Sequence, residues 1–124
     1  MMQIIEAYAT GSPNGIVKMN DDGLIETQST QLALTWQDAV VDGQPVTPRN
    51  GMAVEINALW YNALCFASAL ATNPALSANS ALSANPALTA NPALATSSEL
   101  EAQAQKTAES FVNTFWNGLY LYDY

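Results

Sequence analysis

A repeated Asn-Pro-Ala-Leu segment places the tightest limit on how this chain can fold. Residues 72–96 read TNPALSANSALSANPALTANPALAT, with hexads that begin at Asn73, Asn79, Asn85 and Asn91. Proline recurs every six or twelve residues and excludes one continuous helix, because it lacks the backbone N–H and clashes with the preceding turn. Each Asn-Pro pair can cap a helical turn, but a turn or two is too short to be stable alone.

We interpret this segment as a low-complexity linker that expanded by duplication. A solenoid repeat or an ice-binding array is the alternative, since hexapeptide β-helices share its period. Alanine and proline are poor strand formers, and few copies are present, which favours the linker. The predicted organisation is a first segment over residues 1–70, the linker over 71–97 and a second segment over 98–124.

The first segment is predicted to contain a hairpin between two helices. Residues 2–9 form a short amphipathic pattern that ends at the turn formers of GSPNG. The following IVKMNDDGLIE has two apolar pieces around a turn, which is typical of a β-hairpin. Residues 36–51 are rich in glycine and proline and predict an ordered loop rather than a helix. Residues 53–70 lack both and predict a helix that is apolar nearly all round, hence buried on several sides.

A second long helix is predicted after the repeat. Ser98 and Glu101, three residues later, have the spacing of a capping box. A helical stripe that would pack on a partner follows: Leu100, Ala104, Ala108, Phe111 and Phe115. The chain then closes on NGLYLYDY, a turn with a strand-like aromatic run, and looks cut off after it.

Composition excludes several classes of partner. Eleven acidic residues against three basic ones give a net charge of −8, which argues against nucleic acid and against anionic membrane surfaces. The chain has no histidine and a single cysteine, Cys65, so it can form neither an intrachain disulfide nor a histidine metal site. We predict no metal and no cofactor. The N-terminus does not look like a signal peptide and no stretch resembles a membrane span, so a cytoplasmic protein is expected.

The candidate site lies in LTWQDAVVDGQPVTPRNGMAVEINALWYNAL. It places Arg49, one of only three basic residues, between Asp38 and Glu55, with Trp36 and Trp60 around them. Aromatic side chains beside carboxylates and a lone arginine suggest a carbohydrate site, although the same residues can build a core. Arg49 and Glu55 can also simply pair with each other to fix the loop.

This stretch resembles the C-terminal glucosidase domain of glycogen debranching enzymes, the amylo-α-1,6-glucosidase type. The matching motifs are LTW, Asp38-Ala39, VTPR at 46–49, Gly51 and VEINALWYNAL at 54–64. The upstream IIEAYATGSPNGIVKMNDDGLIE and the later SFVNTFWNGLYLYDY also resemble family segments. Gln37 replaces the family's usual methionine, Met52-Ala53 replaces a common Lys-Pro, and the repeat lies where the family has a shorter connector.

The resemblance implies a mainly α chain that is a fragment of an (α/α)6 barrel, with a short β-hairpin and an ordered active-site loop. The implied activity is inverting hydrolysis of α-1,6-linked glucose at branch points of glycogen or limit dextrin. Asp38 matches the family's general acid, and Trp36 beside it is expected to exclude water and keep that carboxyl protonated. The substrate-binding candidates are Trp36, Arg49, Glu55, Asn57 and Trp60. For Trp60 a place in the core is the alternative.

A second carboxylate, the general base, is expected downstream of this chain, so the chain is expected to be inactive alone. Two other interpretations stay open: a non-catalytic glucan-binding remnant, and a structural or interaction protein built on the hexad repeat. Uncovered barrel faces on helix 53–70 also predict self-association.

Overall fold

A computed structural model describes residues 2–29, 31–73 and 96–123 of the chain. In chain order, the elements are α1 (Met2–Thr10), β1 (Val17–Met19), β2 (Ile25–Thr27), β3 (Val40–Val41), β4 (Gln44–Pro45), α2 (Val54–Thr72) and α3 (Ser97–Phe115). The described ranges are therefore mainly helical with two small antiparallel hairpins, which confirms the predicted helices and the predicted hairpin. The interpretation of the repeat falls almost entirely on residues 74–95, which lie outside the described ranges.

The core is the seam where α2 packs against α3 and the first hairpin. Its buried members are Ile5, Ile25, Trp60, Leu64, Ala67, Leu100 and Ala104. The α2 positions recur every three or four residues and form one stripe, as expected for a helix with one buried face. The opposite face of α2 is open, with Leu59 65% and Phe66 50% exposed. The sequence predicts that α2 is buried on several sides, but the described elements leave this face uncovered.

The turn of the β1–β2 hairpin docks directly onto both long helices. The side chain of Asn20 shapes it by accepting the backbone N–H groups of Asp22 and Leu24, each at 3.0 Å. The carbonyl oxygen of Gly23 accepts hydrogen bonds from Trp60 Nε1 at 3.2 Å and from Thr107 Oγ1 at 2.9 Å. Gly23 has φ of +80°, and a Cβ there would lie 2.5 Å from a side-chain nitrogen of α3, so only glycine fits without displacing that side chain.

The N-terminus of α3 differs from the prediction in which residue caps the helix. Thr96, not Ser98, is the N-cap: its Oγ1 accepts the backbone N–H of Glu99 at 3.3 Å, and its own N–H donates to Glu99 Oε2 at 2.5 Å. Glu101, the predicted partner, accepts from Ser68 Oγ at 3.2 Å instead. Both pairs match the capping-box pattern, and the sequence alone does not separate them.

The remainder of α3 follows its predicted stripe in part. Leu100, Ala104 and Phe115 are buried, whereas Thr107 occupies the fully buried place between them. The aromatic run after α3 forms an isolated antiparallel bridge between Trp116 and Leu121 rather than a strand. None of the described helices combines the length and hydrophobicity that a membrane span requires.

Candidate functional site

The loop between β2 and α2 contains the small hairpin formed by β3 and β4. Val40 pairs with Pro45 and Val41 with Gln44, and the N–H of Val46 closes the hairpin on the carbonyl of Ala39 at 2.9 Å. The two turn residues, Asp42 and Gly43, have φ of 50° and 76°, the left-handed conformation that tight hairpin turns require. The prediction of an ordered, non-helical loop is confirmed.

Asp38 and Trp36 precede this hairpin and both face solvent. Asp38 is exposed, and Trp36 is 74% exposed. The expected exclusion of water from Asp38 by Trp36 is therefore not achieved by the described residues, because none of their elements covers the loop. What the structure presents is an accessible carboxylate two residues from an accessible indole.

Arg49 lies in the opposite environment, with a side chain only 1% exposed. Its guanidinium donates to both carboxylate oxygens of Glu55. Nη1 contacts Oε1, and Nη2 lies 2.9 Å from Oε2. Nη2 also lies 2.5 Å from Oδ1 of Asp123. Burial of an unpaired charge is costly, and these two carboxylates supply the compensation.

The pairing shifts the titration of both partners in the direction that keeps them charged. The hydrogen bond from Arg49 holds the pKa of Glu55 below its ordinary value, and the hydrogen bond to Glu55 raises the pKa of Arg49. Of the two roles that the sequence left open for this pair, mutual pairing is the one that the structure shows. Both oxygens of Glu55 are occupied by this contact.

Arg49 also ties the two ends of the loop together. Its Nη1 donates to Oγ1 of Thr35 at 3.4 Å, and its backbone carbonyl accepts from Oγ1 of Thr27 at 3.3 Å. Thr27 and Gly51 form a bridge through two backbone hydrogen bonds of 2.9 Å. We call residues 35–49 the clamped loop, since Arg49 at one end holds Thr35 at the other.

Asn57 and Trp60, two further substrate-binding candidates, are buried beneath the first hairpin. Asn57 is 0% exposed; its Oδ1 accepts the N–H of Ile25 at 2.7 Å, and its Nδ2 donates to the carbonyls of Ile25 and Ala53 at 3.0 Å. Trp60 is 6% exposed and donates to Gly23. In the described residues both hold β2 and its turn on α2, which is the core alternative for Trp60; their contact with substrate stays a prediction.

Sequence reasoning missed Asp123, which completes the carboxylate set around Arg49. The two residues are 74 positions apart, and no local pattern marks Asp123 as a partner. A signal was present in the composition: a lone arginine in a chain with many acidic residues favours contacts to more than one carboxylate.

Two hollows lie away from the clamped loop. One, of about 480 Å³, is bounded by α2 and α3 and lined in part by Tyr61, Cys65 and Glu101. The other, of about 260 Å³, is an apolar groove between α1 and α2. Among the described residues, no cluster of histidine, cysteine, aspartate or glutamate is grouped closely enough to hold a metal ion.

An exposed carboxylate beside an exposed indole, on a loop fixed to a helical scaffold, is an arrangement suited to a carbohydrate-active protein. Comparison with known families agrees: the family described as Amylo-alpha-1,6-glucosidase matches residues 1–124. The chain belongs to this family of glycosidases. Searches of curated proteins and of solved structures find no match to the chain.

Proposed function

We propose that this chain carries the general-acid loop of a glycoside hydrolase that removes α-1,6-linked glucose at branch points of glycogen or limit dextrin. The observation that carries the proposal is the family match over the whole chain. The placement of Asp38 supports it, because the matching loop is ordered and leaves this carboxylate accessible. Asp38 is the acid that protonates the leaving glycosidic oxygen.

Trp36 is the proposed sugar contact beside the acid. Its side chain is 74% exposed, so a glucose ring can stack on the indole without rearrangement of the core. The same exposure fits the second candidate function, a glucan-binding remnant without chemistry. Turnover, rather than binding, separates the two.

Hydrolysis requires a second carboxyl group, which in an inverting enzyme stands about 6.5–9.5 Å from the first and activates water. Glu55 fits this role poorly, because its bidentate contact with Arg49 lowers its pKa and so weakens it as a base. Following the family resemblance, we assign the base to a residue outside the described ranges and expect this chain to be inactive by itself.

The uncovered face of α2 supports an (α/α)6 barrel as the complete setting of the site. The open face of α2 presents Leu59 and Phe66, which are at least half exposed, and neighbouring helices of a barrel would cover them. Without that cover, these side chains favour self-association.

Glucose release from a limit dextrin tests the catalytic assignment. The chain is compared with Asp38→Asn and with Asp42→Asn, a control that removes a carboxylate from the same loop at a turn position that asparagine tolerates. We expect no release above background from any of the three. Release that Asp38→Asn abolishes and Asp42→Asn preserves would support Asp38 as the acid and contradict the expected inactivity. Release that Asp38→Asn leaves unchanged would contradict the assignment of Asp38.

A further inference from the structure

We propose that Asp123 is a positioning residue for the clamped loop, acting through Arg49 on the segment that presents Trp36 and Asp38. This inference rests on the proposed function for its consequence, but its physical basis is independent of it. The contacts of Asp123 described below are to Arg49 and Val54, not to Trp36 or Asp38. Its role is to fix the guanidinium that holds the loop.

The first step is the double attachment of Asp123 itself. Its carboxylate Oδ1 lies 2.5 Å from Arg49 Nη2, and its backbone carbonyl accepts the N–H of Val54, the first residue of α2, at 2.9 Å. The same carbonyl is 3.4 Å from Arg49 Nη2. Asp123 therefore joins the segment after α3 to both the end of the clamped loop and the start of α2.

The second step is the geometry of the guanidinium. Nη2 is shared between Asp123 and Glu55, whereas Nη1 faces Glu55 and Thr35. Each further contact on this planar fork of donors narrows the orientations that it can adopt. Glu55 engages both terminal nitrogens, and the Asp123 contact adds a second restraint on Nη2 against the rotation that would carry Nη1 away from Thr35, the residue next to Trp36.

The third step is the size of the effect. The Arg49 side chain is 1% exposed, but that of Asp123 is 63% exposed, so solvent screens this ion pair and its contribution is modest. Glu55 still pairs with Arg49 when the Asp123 charge is removed. The substitution Asp123→Asn should thus loosen the loop without unfolding the chain.

Hydrogen exchange of the Val46 amide reports the loop directly, because this N–H closes the β3–β4 hairpin on Ala39. We expect Asp123→Asn to accelerate its exchange about 2- to 5-fold, the effect of losing one solvent-screened ion pair. The amides of α3 serve as the internal reference and should not change. Asp123→Glu, which keeps the charge, should restore most of the protection.

Asp22→Asn is the matched control, since it removes an exposed carboxylate from the β1–β2 turn and should leave Val46 unchanged. The proposal is overturned if Asp123→Asn does not alter Val46 exchange, or if the α3 amides accelerate as much as Val46. The measurement uses no glucan. A failure of the proposed function would appear separately, as absence of glucan binding by the unsubstituted chain while the Val46 response persists.

Discussion

Glu55, a substrate-binding candidate in the sequence, is paired with the buried Arg49 guanidinium in the structure. Its position six residues after Arg49 allowed either role; the structure shows the pairing, and the contact with substrate stays a prediction. The local spacing can suggest the pair, but the burial of Arg49 depends on Thr35, Asp123 and the packing between them. The motif alone does not predict these contacts.

The ion pair predicts a pH dependence of stability. Because the folded-state pKa of Glu55 lies below its ordinary value of 4.5, its contribution is fully present above that value and is lost as pH falls through the folded-state pKa. Glu55→Gln should lower the free energy of unfolding at about pH 7 by about 1–2 kcal/mol. The difference from the unsubstituted chain should shrink on acidification from about pH 7 to about pH 3, because protonation of Glu55 in the unsubstituted chain progressively removes the same charge.

Urea unfolding at the two pH values measures this difference. Glu109→Gln, at an exposed position on α3, is the matched control and should change stability little at either pH. A stability gap for Glu55→Gln that stays constant or widens on acidification would contradict the role assigned to the Arg49–Glu55 pair.

Asn57 is a second substrate-binding candidate whose side chain makes structural contacts in the described residues. The sequence suggests that Asn57 lies on a helix and binds sugar. In the structure its side chain is fully buried, and its amide hydrogen-bonds the backbone N–H and carbonyl of Ile25, as a neighbouring strand would. A polar residue on an apolar helix has two explanations, a ligand site or a buried backbone contact. The packing of β2 against α2 shows the backbone contact, and the contact with a sugar stays a prediction.

At the scale of elements, the helices and the first hairpin were predictable because their signals are local. The absence of glycine and proline over residues 53–70 and the turn residues between β1 and β2 act within a few positions of each other. The start of α3 was not predictable to the residue, since Thr96 with Glu99 and Ser98 with Glu101 have the same spacing.

The observed capping box gives a direct prediction for α3. Thr96→Ala should destabilise the chain by about 1 kcal/mol, the usual cost of losing an N-cap side chain. Ser98→Ala, the control at the cap position that the sequence suggested, should cost clearly less because Ser98 lies inside the helix. Thermal unfolding of both variants checks this. Equal losses, or a larger loss for Ser98→Ala, would contradict the assignment of Thr96 as the N-cap.

At the scale of the whole molecule, the described ranges form a scaffold with two uncovered regions. The clamped loop is open above Trp36, and α2 is open along Leu59 and Phe66. The family resemblance of the sequence implies a larger barrel, and the uncovered faces are consistent with that proposal. The barrel itself cannot be predicted from periodicity, because helix patterns specify faces but not how many helices surround them.

The proposal that the clamped loop is a glucan site is tested most directly by measuring whether this loop binds a branched α-glucan. Backbone amide and indole NMR signals are followed during titration with a maltooligosaccharide that carries an α-1,6-linked glucose, for the chain, for Trp36→Ala and for Trp116→Ala. Trp116 is the matched control, an exposed tryptophan outside the loop. We expect shifts clustered in residues 35–49 that Trp36→Ala removes and Trp116→Ala preserves. Absence of shifts in these residues, or shifts that survive Trp36→Ala, would contradict this proposal.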